Sequence, residues 1–229
     1  MSIAENINIV HDRIKRAAER SGRDPVDVKL IAVTKTHPAS TVDEATGSGI
    51  TDIGENRVQE ALKKYDDVKS NPRWHLIGHL QRNKVKHALK IFDIIHSVDS
   101  VRLAAEIDKN SPKKIDILVE VNIGEETAKS GADPDECIDL LKEIRNFENL
   151  NCIGLMTIPP WEADPEDSRQ YFRDVAAIKE EVNRLNIFEK PLTELSMGMT
   201  GDFEVAIEEG ATMVRVGTAI FGQRQKYKL

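Results

Sequence analysis

Two cysteines, Cys137 and Cys152, are too few for a disulfide framework or a zinc site, and such sparse use points to a reducing compartment. No apolar run is long enough to span a bilayer, and the N-terminus lacks the charged-then-apolar layout of a signal peptide. Basic excess is missing as well: a net charge of -7 argues against nucleic acid or an anionic membrane as the main partner. The local exception, Arg82, Lys84, Lys86, His87 and Lys90, reads as a solvated helix face. The glycine-rich turn that serves dinucleotides after a first strand is absent. No linker, low-complexity tract or composition shift divides the chain. The expectation is therefore a cytoplasmic protein with one domain over residues 1–229 and no metal.

What is present is an alternation of two periodicities. Ile3, Ile7, Val10, Ile14 and Ala17 recur at steps of three and four and predict an amphipathic helix over 3–19. Short apolar runs then alternate with helical stretches. Strands are expected at 28–35, 51–53, 74–77, 92–96, 115–121, 152–156, 192–195 and 213–216, each followed by a helix or helical turn. One of these helices is expected over 82–90. Parallel strands need crossover helices, so strict βα alternation implies a parallel sheet. Eight units in 229 residues fit a (β/α)8 TIM barrel with an extra N-terminal helix.

Lys35 ends the first run, Val28-Lys29-Leu30-Ile31-Ala32-Val33-Thr34-Lys35, with Pro38 close behind. An amine at the end of a buried strand is partly desolvated, which suits a lysine that condenses with carbonyls. The plain alternative is a lysine that marks the strand end and points to water. In a barrel of this kind the chemistry sits at the C-terminal strand ends. Those ends supply Lys35, Glu55, Asn56, His79, Ser97, Asp99, Asn122, Met156, Thr157, Ser196, Met197, Arg215, Gly217 and Thr218.

The loops after strands seven and eight are the usual phosphate site of the fold, and here both are small, hydroxyl-bearing and glycine-containing. Each is weak evidence alone, since Ser, Gly and Thr also serve as turn residues and caps. Together with a strand-end lysine and Arg215 they suggest pyridoxal 5′-phosphate. Lys35 would hold the aldehyde and Arg215 would face the pyridine nitrogen, leaving it unprotonated. A barrel-rim ion pair is the other reading of Arg215.

Seven segments carry a closer likeness. They are Ala32-Val33-Thr34-Lys35-Thr36, Gly54-Glu55-Asn56-Arg57-Val58-Gln59-Glu60, the run 74–84, Ile95-His96-Ser97-Val98-Asp99-Ser100, Gly154-Leu155-Met156-Thr157, Leu195-Ser196-Met197-Gly198-Met199, and the run 214–222. In this set the chain resembles the pyridoxal phosphate homeostasis proteins, single-domain relatives of the alanine racemase barrel. The resemblance implies Lys35 as the aldimine lysine, a phosphate site from Ser196, Gly217 and Thr218, and Arg215 near the ring nitrogen. It also implies Asn56, His79 and Met156 as further pocket residues. Thr34 and Thr200 stand where serine is expected and keep the hydroxyl; Arg57 stands where an aromatic is common.

A racemase needs two bases on opposite faces of its substrate. In the alanine racemase relatives the second is a tyrosine backed by a further domain. Here Tyr65, Tyr171 and Tyr227 fall in helices or the tail, and His79 reads as a structural residue. The expectation is a non-catalytic carrier that stores, buffers or delivers the cofactor, with dependent apoenzymes as candidate partners. Loss of the dimer-forming domain favours a monomer. Two alternatives stay open: a weak amino-acid racemase, and a cofactor-free class I aldolase using Lys35.

Overall fold

The computed structural model describes residues 1–124 and 130–223. Eight parallel strands close into a barrel in chain order: β1 (Lys29–Val33), β2 (Asp52–Glu55), β3 (Arg73–Leu76), β4 (Ile94–Val98), β5 (Ile115–Glu120), β6 (Leu150–Met156), β7 (Glu194–Met199) and β8 (Met213–Val216). The ring closes where β8 pairs with β1, Ile31 lying opposite Arg215.

Helices cover the outside. They are α1 (Ile3–Arg20), α2 (Ala39–Gly47), α3 (Val58–Tyr65), α4 (Val85–Ala88), α5 (Val101–Asn110), α6 (Pro134–Ile144), α7 (Arg169–Arg184), α8 (Phe203–Glu208) and α9 (Thr218–Phe221). The extra helix α1 starts at a capping box in which Ser2 Oγ accepts from Glu5 N–H and Glu5 accepts from Ser2 N–H. It packs on α8 and α9, and Asn6 Nδ2 donates to the Ile220 carbonyl at 2.8 Å.

Strand alternation sorts the buried residues into two sets. Leu30, Ala32, Ile53, Trp74, Leu76, Ile95, Ile117, Val119, Val214 and Val216 join the core between sheet and helices. Ile31, Ile94, Leu118, Met156 and Met213 form a separate apolar cluster inside the barrel. Cys137 and Cys152 are buried free thiols, and burial pushes both up to about 12, so neither is a nucleophile at neutral pH.

Several expectations shift, β4 among them, which runs over Ile94–Val98 rather than 92–96. The helix expected over 82–90 is a 3-10 turn at Arg82–Lys84 followed by the single-turn α4. β1 stops at Val33, so Lys35 stands in the turn beyond it. β7 begins and ends later than 192–195. Ser196 and Gly198 look like turn residues, yet Ser196 pairs with Met213 and Met199 with Arg215, a register shift between them absorbing Gly198.

Candidate functional site

A cavity of about 630 Å³ opens at the C-terminal ends of the strands, within the size range of small-molecule sites. Lys35 enters it from the turn after β1, Asn56 from the end of β2, and Arg215 from β8. Thr200 and Gly201 follow β7, and Gly217 and Thr218 follow β8, so its far edge is made of small residues and two hydroxyls. Val33 and Ile77 give it apolar walls. Asn56 Oδ1 is buried with no hydrogen-bond partner, an acceptor that a ligand donor could complete.

The turn that carries Lys35 is built with strain and bracing. His37 N–H donates to the Thr34 carbonyl at 3.1 Å, and Thr36 has φ of 68°, unusual for a β-branched residue. The same Thr34 carbonyl accepts from Lys64 Nζ at 2.9 Å. Lys64 also pairs with Glu55 Oε1 at 2.9 Å, which accepts from Thr34 Oγ1 at 2.5 Å. Lys64 and Glu55 are both buried. Burial pushes the Glu55 carboxyl above its ordinary range, against the opposing pull of Lys64 and the Thr34 hydrogen bond. Lys35 therefore projects from a fixed turn.

Arg215 is 3% exposed. Nη1 donates to the Ser196 carbonyl and to Ser196 Oγ, each at 2.6 Å, and Nη2 donates to the Thr157 carbonyl at 2.8 Å. Burial lowers its pKa to about 10, with Asp202 and Glu120 opposing, so it stays charged at neutral pH. Those bonds use three of the five guanidinium N–H groups, and Arg215 still lines the cavity. Burial raises the Asp202 carboxyl even though it accepts from Met199 N–H at 2.6 Å, a bond that holds the Met199–Gly201 loop at the cavity edge.

Of the residues expected in the pocket, Lys35, Asn56, Arg215, Gly217 and Thr218 come together around this cavity. Ser196, Met156 and His79 do not line it. Ser196 is fully buried and its hydroxyl is engaged by Arg215 and His96, because β7 runs on past it to Met199. Thr200, four residues on, is the hydroxyl of that segment at the cavity, with Oγ1 3.5 Å from Ala219 N–H. Met156 belongs to the interior apolar cluster. The His79 side chain is 52% exposed, beside Asp99 at 3.7 Å. Arg57 is also directed outward, toward Glu60 at 3.5 Å, and does not line the cavity.

The loop over 158–163, readable as a proline-rich loop in the sequence, was not expected at the cavity, yet it supplies Ile158, Pro160 and Trp161 to the wall. Sequence reasoning also missed Lys64, and the buried pair His75 and His96 behind Arg215. A polar residue two positions from a strand's inward apolar one, as His96 is from Ile94, was the available signal.

The sequence profile described as "Alanine racemase, N-terminal domain" matches residues 6–225. The "Pyridoxal phosphate homeostasis protein" of Aquifex aeolicus is 44% identical over 229 residues, covering 98% of this chain and 100% of that protein. The chain belongs to the pyridoxal phosphate homeostasis protein family. The homeostasis protein of Pseudomonas aeruginosa is 41% identical over 97% of this chain and 96% of its own length. Among solved structures, PipY of Synechococcus elongatus with pyridoxal phosphate bound has a TM-score of 0.83 and 35% identity, over 96% of this chain and all of PipY. Alanine racemase of Clostridium difficile shares the barrel at a TM-score of 0.74 and 16% identity, over 99% of this chain and 58% of its own.

Proposed function

We propose that this chain binds pyridoxal 5′-phosphate in the cavity between Lys35 and Arg215 and keeps it for storage, buffering or delivery to dependent apoenzymes, without turning over a substrate. The observation that carries this reading is one cavity holding an amine on a braced turn, a buried guanidinium and a small-residue, hydroxyl-bearing edge. PipY, solved with pyridoxal phosphate bound and 35% identical over its whole length, supports it.

Each part of the cavity has a task that follows from its chemistry. Lys35 offers a primary amine as the covalent anchor, and its turn fixes where that amine stands. Thr200, Gly201, Gly217 and Thr218 let backbone and hydroxyl groups approach phosphate oxygens closely. Arg215 is a permanent cation with no acceptor, so a ring nitrogen facing it stays unprotonated. Bound pyridoxal phosphate supplies an aldehyde that condenses reversibly with amines, and release would follow when an incoming amine displaces Lys35. Tyr65 and Tyr171 sit on the outer helices α3 and α7, and neither lines the cavity; Tyr227 lies outside the described residues.

The near-visible absorbance spectrum, with pyridoxal phosphate added to wild type and to Lys35→Ala, tests the reading. A band in wild type alone, displaced by a competing amine that is not consumed, is the expected result. Turnover of an amino acid would make the chain an enzyme. No band in wild type would overturn cofactor binding and return Lys35 to aldolase chemistry.

A further inference from the structure

Asp52 opens β2 at the N-terminal end of the barrel, and Arg215 stands in β8 at the cavity. Four side-chain hydrogen bonds join them through the interior. Asp52 Oδ1 lies 2.8 Å from His75 Nε2, and His75 Nδ1 lies 2.9 Å from His96 Nε2. His96 Nδ1 lies 2.9 Å from Ser196 Oγ, which lies 2.6 Å from Arg215 Nη1. All five residues are buried.

The chain has one direction, fixed at the aspartate end. A carboxylate only accepts, so His75 Nε2 carries the hydrogen. Burial depresses both imidazoles, His96 well below the ordinary histidine range, so each ring is neutral and has a single N–H. His75 Nδ1 therefore accepts, and His96 Nε2 must donate to it. His96 Nδ1 then accepts in turn, and only the Ser196 hydroxyl is in place to donate. That leaves the Ser196 oxygen with its lone pairs turned to Arg215. The aspartate is itself held, since Thr51 Oγ1 donates to Oδ2 at 2.6 Å.

We propose that Asp52 is a positioning residue for Arg215: through His75 and His96 it directs the Ser196 hydroxyl hydrogen to His96 and away from the guanidinium, which preserves the Ser196–Arg215 bond that, with the Ser196 and Thr157 carbonyls, sets the edge Arg215 turns to the cavity. Without an acceptor at position 52, His75 is free to carry its hydrogen on Nδ1. His96 would then carry its own on Nδ1, aimed at Ser196 Oγ, and the displaced Ser196 hydroxyl hydrogen would lose its acceptor beside a guanidinium that only donates. The functional consequence rests on the reading that the cavity holds pyridoxal phosphate; the hydrogen-bond direction does not.

The experiment uses nitrogen-15 histidine spectra of the cofactor-free protein, followed by titration with pyridoxal phosphate. Wild type, Asp52→Asn and Asp52→Leu are compared, with Asp52→Ala in place of the leucine variant if that one does not fold. Asparagine keeps a carbonyl that can accept from His75. Wild type and Asp52→Asn are expected to show both rings as neutral Nε2–H tautomers with similar affinity. Asp52→Leu is expected to put hydrogen on His96 Nδ1 and to bind about tenfold more weakly, the scale of one lost hydrogen bond. A wild-type spectrum with hydrogen on Nδ1 of either ring would overturn the relay without any variant. So would an Asp52→Leu protein that keeps the wild-type tautomers and affinity. Failure of wild type to take up pyridoxal phosphate would refute the proposed function instead, and the imidazole spectra would still decide the direction.

Discussion

Lys64 Nζ lies 2.9 Å from both Glu55 Oε1 and the Thr34 carbonyl, so the turn bearing Lys35 is tied to a buried ion pair on neighbouring elements. Removing one partner of such a pair leaves an uncompensated buried charge. Lys64→Met is expected to cost about 3–5 kcal/mol in urea unfolding. The double variant Lys64→Met with Glu55→Gln should recover part of that loss. A double variant as unstable as the sum of the singles would show that the two side chains do not act as a pair.

Gly198 shapes the loop that brings Thr200 to the cavity. Its φ is 88°, and an added Cβ would lie 2.6 Å from Ala206 Cβ and 2.8 Å from Phe203 Cα. Gly198→Ala should cost about 1–3 kcal/mol from backbone strain alone, and more from the overlap with α8. Affinity for pyridoxal phosphate should fall with it, read by titration under conditions where the variant is still folded. Unchanged stability would mean that the loop tolerates the left-handed conformation without glycine.

His75 and His96 make stability depend on pH. Burial depresses both, so the folded protein keeps them neutral where unfolded histidine protonates. Their contribution is present above the unfolded pKa of about 6.5 and is lost as pH falls toward the folded values. Each adds a slope of up to about 1.4 kcal/mol per pH unit. Burial shifts Glu55, Glu120 and Asp202 upward, which acts in the opposite sense. The comparison is therefore wild type against His96→Gln, by chemical unfolding between about pH 5 and pH 6.5. The variant should show the shallower dependence, and equal slopes would contradict a neutral buried His96.

The two tryptophans differ sharply in setting: Trp74 is 4% exposed, while Trp161 is 86% exposed and lines the cavity. Adding pyridoxal phosphate should quench mainly Trp161 emission. Trp161→Phe should remove most of the change while leaving binding by absorbance intact. If the quenching survives in that variant, the cofactor is not bound beside the Ile158–Ala163 loop.

The barrel was readable because eight apolar runs alternated with helical stretches, and fully buried strands leave that mark. Lys35, Asn56, Arg215, Gly217 and Thr218 were readable for a related reason, since a polar residue just past an apolar run lies near a strand end. Ser196 failed this rule. Its small, glycine-containing surroundings looked like a loop, and only the pairing with β8 shows the strand continuing beneath it. Met156 ends β6 as expected, but an end position does not tell which way a side chain turns, and this one faces the apolar interior. Lys64 was hidden more deeply. A lysine on an amphipathic helix ordinarily faces water, and nothing local shows that this one reaches inward to Glu55.

Ile31, Ile94, Leu118, Met156 and Met213 cluster inside the barrel, with Met213 two residues before Arg215 on the same face of β8. The cavity therefore has an apolar floor among the described residues, and its opening lies at the C-terminal ends of the strands. A departing ligand and its replacement must share one doorway, ringed by the exposed Ile158, Trp161 and Met199. A macromolecule that receives the cargo directly would meet it at that face of the barrel.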